Sequence, residues 1–252
     1  MSNNSERLKQ LLVIIATVGV ILFNYLAATG YLGGVSPSYI SDKYPILITP
    51  AGYAFAIWSL IYFGLIGFSI YQALPKNVER FRSIRSIYIL NCAANCAWLY
   101  FWHQEAILLC VGLIFVMLGT LAVINGKLKT TDSIGEFWLA KFPFSLYFGW
   151  VTAASILNVT IAFSYLGVQF TEPVAVKVGA FLLLLAVALG ILIRFKLNNI
   201  FYPVAIAWAL TAIAVKQSGQ TLIVASAAVG VNILLIAALT FLVKLRSSSS
   251  NE

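Results

Sequence analysis

Charge is what this sequence has least of. Of 252 residues only 10% are Asp, Glu, Lys or Arg, against about a quarter in soluble domains. Histidine occurs once, methionine twice and cysteine three times. Each scarcity excludes something. A single histidine removes the multi-imidazole metal centres, and Cys92, Cys96 and Cys110, all within apolar runs, cannot form a paired extracellular disulfide framework. No Asp, Glu or Arg falls near the middle of any apolar run, which argues against a proton relay or an ion-coupled site. No internal repeat of the kind seen in secondary transporters is present.

What is there is hydrocarbon. The chain is 61% hydrophobic, with a mean hydropathy of +0.94. A bilayer core of about 30 Å needs roughly 20 apolar residues per helical span. Eight runs approach that length: 8–28, 52–73, 84–102, 106–125, 142–163, 174–195, 200–215 and 222–243, the seventh being short. They are uniformly apolar rather than alternating, so they predict helices and not barrel strands; the expected fold class is an all-α, polytopic membrane bundle.

The formal charge of +8 is distributed by topology rather than gathered on a face for nucleic acid. Arg7, Lys9, Lys76, Arg80, Arg82, Arg85, Lys127, Lys129, Lys141, Arg194, Lys196, Lys244 and Arg246 fall beside alternate connections, and only Lys43, Lys177 and Lys216 fall on the other side. That positive-inside asymmetry predicts an even number of spans with both termini cytoplasmic. The first span reads as an uncleaved signal anchor. The expected location is a bacterial cytoplasmic membrane.

The connection from Thr29 to Ala51 is the longest and is rich in Gly, Pro and Tyr, so it reads as a lid packed over one end of the bundle. HQE, His103 to Glu105, is a minimal turn that predicts an antiparallel hairpin of the third and fourth spans. Residues 247–252 read as a disordered polar tail.

Helical spacing then aligns polar and aromatic residues. Asn91, Asn95, Trp98 and Trp102 share one face, as do Tyr147, Trp150, Ala154 and Asn158, and Phe55, Trp58, Tyr62 and Ile66. An asparagine in hydrocarbon must be paired, so Asn91, Asn95 and Asn158 are expected to face protein or a cavity. For any one residue, interhelical glue or packing is the ordinary explanation; three aligned stripes point to a shared aromatic pocket. Cys92 and Cys96 share a face, with Cys110 at a similar depth, but no basic residue nearby would stabilise thiolates. They read as small packing residues, with no metal site, and His103 as a cap of its turn.

These stripes coincide with a family pattern. PAGYAFAIWSLIY, Pro50 to Tyr62, resembles the second-helix W-x-x-x-Y segment of the tryptophan-rich sensory protein and translocator protein family (TspO/MBR). NCAWLYF, Asn95 to Phe101, resembles its third helix, and YFGWVTAASILN, Tyr147 to Asn158, its fifth. Two departures stand out: Gly52 occupies a position where the family has Trp, and Leu146 one where it has Pro, with Pro143 a turn earlier. The resemblance covers residues 1–165 as a five-helix transmembrane bundle. Residues 166–246 are then a three-helix extension, for which a homodimer surface, a second site and a partner dock are all open.

The resemblance implies a cavity that binds porphyrins such as haem or protoporphyrin, or sterol-like hydrophobic molecules, with no required cofactor and a sensory or regulatory role. Its implied ligand-binding residues are Trp58, Asn95 and Trp150, flanked by Tyr62, Trp98, Tyr147 and Asn158. No catalytic residue is implied by the spacing, and a non-enzymatic receptor or carrier is expected. Light-dependent porphyrin degradation and generic metabolite transport are the alternatives. Expected partners are a hydrophobic small molecule and the lipid bilayer, not nucleic acid.

Overall fold

In the computed structural model, which describes residues 3–44 and 46–249, the chain is built of helices and the turns between them. The long helices are α1 (Asn3–Ala28), α3 (Ile57–Tyr71), α4 (Val78–His103), α5 (Ile107–Lys127), α7 (Phe142–Tyr165), α8 (Glu172–Lys196), α9 (Phe201–Lys216) and α10 (Thr221–Ser249). Two short ones intervene, α2 (Pro37–Asp42) and α6 (Ile134–Glu136). Every apolar run of the sequence became one of the eight long helices. Of the tail expected to be disordered, residues 247–249 continue α10, and residues 250–252 lie outside the described residues.

Six of the eight are long and apolar enough to cross a bilayer by themselves. The two that fall short do so for different reasons. α4 carries Glu79, Arg80, Arg82 and Arg85 in its first turns, before its apolar stretch begins. α9 has 16 residues, about 24 Å of helix at 1.5 Å per residue, less than the hydrocarbon thickness. The molecule is an integral, multi-pass membrane protein.

α7 is the hub. It packs against α3, α5, α8 and α9, and 67% of the residues in its span are buried, against 22% for α1 at the edge. Small residues make this possible. A Cβ at Gly149 would lie 2.4 Å from the Tyr202 carbonyl oxygen and 2.8 Å from Ala205 Cβ, so α7 and α9 touch backbone to backbone. Gly64 of α3 meets the Pro143 ring of α7 in the same way, its Cβ position 2.5 Å from Pro143 Cβ. Because the obstruction at Gly149 is a carbonyl and not a mobile side-chain tip, Gly149→Ala is expected to lower stability by about 1–3 kcal/mol. The control is Gly112→Ala in α5, where a Cβ meets nothing within 4 Å. Thermal unfolding in detergent, followed by circular dichroism, checks the difference; equal midpoints for the two variants would refute close α7–α9 packing.

The remaining helices follow from connection length. The HQE turn, closed by Glu105 at φ 52°, makes α4 and α5 the expected hairpin. α7 is preceded without a break by α6 and a π-helical turn, Phe137–Lys141. α8, α9 and α10 pack on one another and join the first helices through α7 and α9.

The long connection forms the expected lid. Gly30, Gly33 and Gly34 take positive φ near 80°, a conformation that side-chain-bearing residues rarely adopt. Ser36 then caps α2, accepting a hydrogen bond from the Tyr39 backbone N–H, with Pro37 in the first turn. Its own residues Ile40, Ser41, Ile48 and Thr49 are buried against the bundle, and the Ala51 N–H donates to the Ala212 carbonyl of α9 at 3.0 Å.

One buried charge is Arg85, which in the sequence stands at the very start of the third apolar run, beside a basic connection. It lies inside α4, fully buried, with its guanidinium donating to Glu6 of α1 and to Gln72 at the end of α3.

Candidate functional site: an aromatic wall between two spaces

Side by side, α3, α4 and α7 turn their aromatic stripes towards one another, and Trp58 stands at the centre. Its indole stacks on Tyr62 at 5.3 Å and 15°, and meets Tyr147 and Trp150 edge-on at 5.3 and 6.4 Å. Phe55, in the single 3₁₀ turn that leads into α3, also meets Trp150 edge-on at 5.8 Å. On α4, Trp98 stacks on Trp102 at 5.2 Å and 19°. Offset-stacked and edge-to-face pairs of this kind hold rings in fixed orientations, each contributing about 0.5–1.5 kcal/mol beyond burial.

The asparagines sit behind this wall and tie helices together. The Asn95 amide donates to the Tyr147 hydroxyl at 2.7 Å, while its carbonyl oxygen accepts from Asn24 of α1 at 2.8 Å. The Asn158 carbonyl oxygen accepts from the Trp98 indole N–H at 3.1 Å. Asn91 turns away from the aromatic cluster altogether and donates to Thr120 and to the Met117 carbonyl of α5. Neither Asn24 nor the α5 partners could be found from helical spacing, which fixes a face but not the neighbour opposite it.

Two spaces flank the wall. An outer groove of about 630 Å³ runs between α1, α3, α4 and the lid, lined among others by Asn24, Tyr25, Ser36, Pro37, Tyr62 and Phe63. An inner cavity of only about 50 Å³ lies between α3, α4, α7, α9 and the lid, against Trp102, Trp150, Asn158, Ser41, Ala209 and Ile213. Phe55, Trp58 and Trp98 line both. The volumes decide what each can hold: drug-sized ligands occupy pockets of about 300–1,000 Å³. The groove has that room; the inner cavity, at about 10–15 Å³ per water, holds a few waters. Among the described residues, no charged side chain lines either space. Two buried hydroxyls at their margins, Ser41 Oγ and Tyr62 Oη, have no hydrogen-bond partner among the described residues.

The seven residues singled out from sequence therefore converge on one cluster in three positions. Trp58, Tyr62 and Trp98 line the groove; Trp58, Trp98, Trp150 and Asn158 line the inner cavity; Asn95 and Tyr147 form the hydrogen-bonded layer behind. Ser41 and the α9 residues Ala209 and Ile213 were not anticipated. Their contribution depends on how the lid and α9 dock, which no local pattern in the sequence reports.

The three cysteines pack close behind the aromatic cluster as free thiols. Cys92 and Cys110 are buried, and the Cys110 thiol faces the Trp98 carbonyl at 3.8 Å. Among the described residues no three His, Cys, Asp or Glu side chains are placed to hold a metal ion.

A family model described as TSPO-like protein matches residues 10–241, from the first long helix into the last. No curated protein and no solved structure matches the chain.

Proposed function

The chain belongs to the TSPO-like protein family, and from that membership we propose that it is a membrane receptor or carrier for flat, hydrophobic ligands of the porphyrin class, with a sensory or regulatory role. One observation carries the reading: a groove of about 630 Å³ whose inner wall is the Phe55, Trp58, Tyr62 and Trp98 rings. Such a wall offers π-faces to a planar ring, in a lining free of charged side chains that would have to be desolvated. The groove, rather than the inner cavity, receives the ring system. Trp150 and Asn158, on the far side of Trp58 and Trp98, hold the wall rigid.

No nucleophile, base or metal-ligand set accompanies the aromatic cluster, which favours binding over catalysis. The test is titration of the purified protein with protoporphyrin IX, followed by porphyrin absorbance; saturable binding that responds to changes in the wall supports the reading, and the pattern expected of individual variants is argued in the Discussion.

The membrane proposed is a bacterial cytoplasmic membrane with both termini on the cytoplasmic side, supported by the partition of basic residues. On a background with the three cysteines replaced by Ala, a thiol at Ser83→Cys in α4 should be labelled from the cytoplasm and one at Ser218→Cys, beyond α9, from outside. Both positions are exposed. The reverse pattern would overturn the orientation.

A further inference from the structure

The only histidine of the chain ends α4, and its ring stands between two backbone carbonyl oxygens. Nδ1 lies 2.8 Å from the Leu99 oxygen, one turn back in the same helix, and Nε2 lies 3.2 Å from the Val35 oxygen in the lid. A carbonyl oxygen can only accept. A neutral imidazole carries one N–H and one lone pair, whereas an imidazolium carries two N–H donors. Both contacts are hydrogen bonds only when the ring is charged. We propose that His103 is a proton-operated latch, which when protonated fastens the lid to the end of α4 and when neutral releases it.

The direction follows from the distances. The contact with Leu99 is the shorter and is held by the ring's own helix, so a neutral ring keeps its proton on Nδ1. It then turns the bare Nε2 lone pair towards the Val35 oxygen, and attraction becomes repulsion. The lid bond is present with the charged ring and is lost with the neutral one.

What is latched is the entrance to the site. Val35 directly precedes Ser36, Pro37 and Ser38, which line the mouth of the outer groove, and α2, which carries Ser41 to the inner cavity. The segment before it turns at Gly30, Gly33 and Gly34, all at positive φ near 80°. The other ties of the lid do not share the response. The Trp102 indole N–H donates to the Pro37 carbonyl at 3.1 Å and does not titrate. The other charged or titratable groups at this end of the elements that meet there are Tyr31 in the lid, Cys96 and Tyr100 of α4, Cys110 of α5, Glu105 in the turn, Tyr39, Asp42, Lys43 and Tyr44 of α2 and its flank, and Lys216 of α9. Lys43 pairs with Glu105, and Lys216 with Asp42. The carboxylate of Glu105 holds the Lys43 ammonium above its ordinary range, so it stays charged through neutral pH. Histidine is the side chain whose charge changes between about pH 5 and 8. With the termini cytoplasmic, the latch faces the outside, and the proton arrives from there.

The experiment needs no ligand, so it stands or fails separately from the porphyrin reading. A nitroxide is attached at Tyr39→Cys, an exposed position on α2, in the full chain with Cys92, Cys96 and Cys110 replaced by Ala. Its mobility is read by electron paramagnetic resonance in lipid nanodiscs from pH 5 to pH 8. The expected result is a largely immobile label at pH 5, with the ratio of mobile to immobile fractions rising on the order of ten-fold by pH 8, the equivalent of one charge-assisted hydrogen bond. His103→Phe should be mobile throughout. His103→Arg, permanently charged, should show no step, and Glu105→Gln should retain the wild-type step. A flat wild-type profile, or a step that survives His103→Phe, would overturn the latch.

Discussion

Arg85→Ala is expected to destabilise the protein by about 3–5 kcal/mol, the cost of removing one partner from a buried charge pair. The guanidinium is fully buried where α1, α3 and α4 meet, and each of its three nitrogens donates a hydrogen bond. Nη1 donates to Glu6 Oε2 at 2.9 Å, Nε to Gln72 Oε1 at 2.8 Å and Nη2 to the Gln72 carbonyl at 3.1 Å. Glu6, 2% exposed, is surrounded by Lys9 and Arg82 as well. Truncating Arg85 leaves Gln72 Oε1 unpaired and takes away the deepest counter-charge of a buried carboxylate. Removing both charges is the milder change, so Arg85→Met with Glu6→Gln should recover part of the loss. Unfolding midpoints in detergent decide it. A single variant within about 0.5 kcal/mol of wild type would mean that the pair does not exist in the folded protein.

That cluster also marks the limit of what the sequence makes legible. Uniform apolar runs announce helices because hydrocarbon permits little else, and all eight long helices were readable for that reason. The three stripes were readable because 3.6-residue periodicity fixes which residues share a face. Partners across helices are not fixed by periodicity. Arg85 reads as a cytoplasmic charge until α1 is seen to bring Glu6 to it. Asn95 reads as a free amide facing a ligand until Asn24 and Tyr147 occupy both its ends. Trp208, on α9, belongs to none of the three stripes. In the folded chain its indole N–H donates to the Ala54 carbonyl at 2.9 Å and its ring meets Tyr53 edge-on at 5.5 Å, beside Phe55. It is part of the support of the wall, so it cannot serve as a remote control for binding experiments.

These contacts sharpen the expectation for the wall itself. Trp58 presents its indole to both spaces and is held in place by Tyr62, Tyr147 and Trp150. If a planar ring lies in the groove, Trp58→Ala removes its stacking partner and merges groove and cavity. Protoporphyrin affinity should fall by about ten- to a hundred-fold, or roughly 1.4–2.8 kcal/mol, the range of one aromatic contact plus its buried area. Trp58→Phe, which keeps a smaller π-face, should lose less. Asn95→Ala should behave differently, because its amide is spent on Asn24 and Tyr147 rather than on the ligand. It should weaken binding and also lower the unfolding midpoint, by an amount on the order of 1–3 kcal/mol for partners left unpaired. Trp138, half exposed near the start of α7 and distant from both spaces, is the control, and Trp138→Phe should bind as wild type does. Porphyrin absorbance titrations, paired with unfolding curves for each variant, separate the effects. Equal affinity for wild type, Trp58→Ala and Trp138→Phe would remove the groove as the binding site, since porphyrin that merely partitions into detergent responds to no side chain.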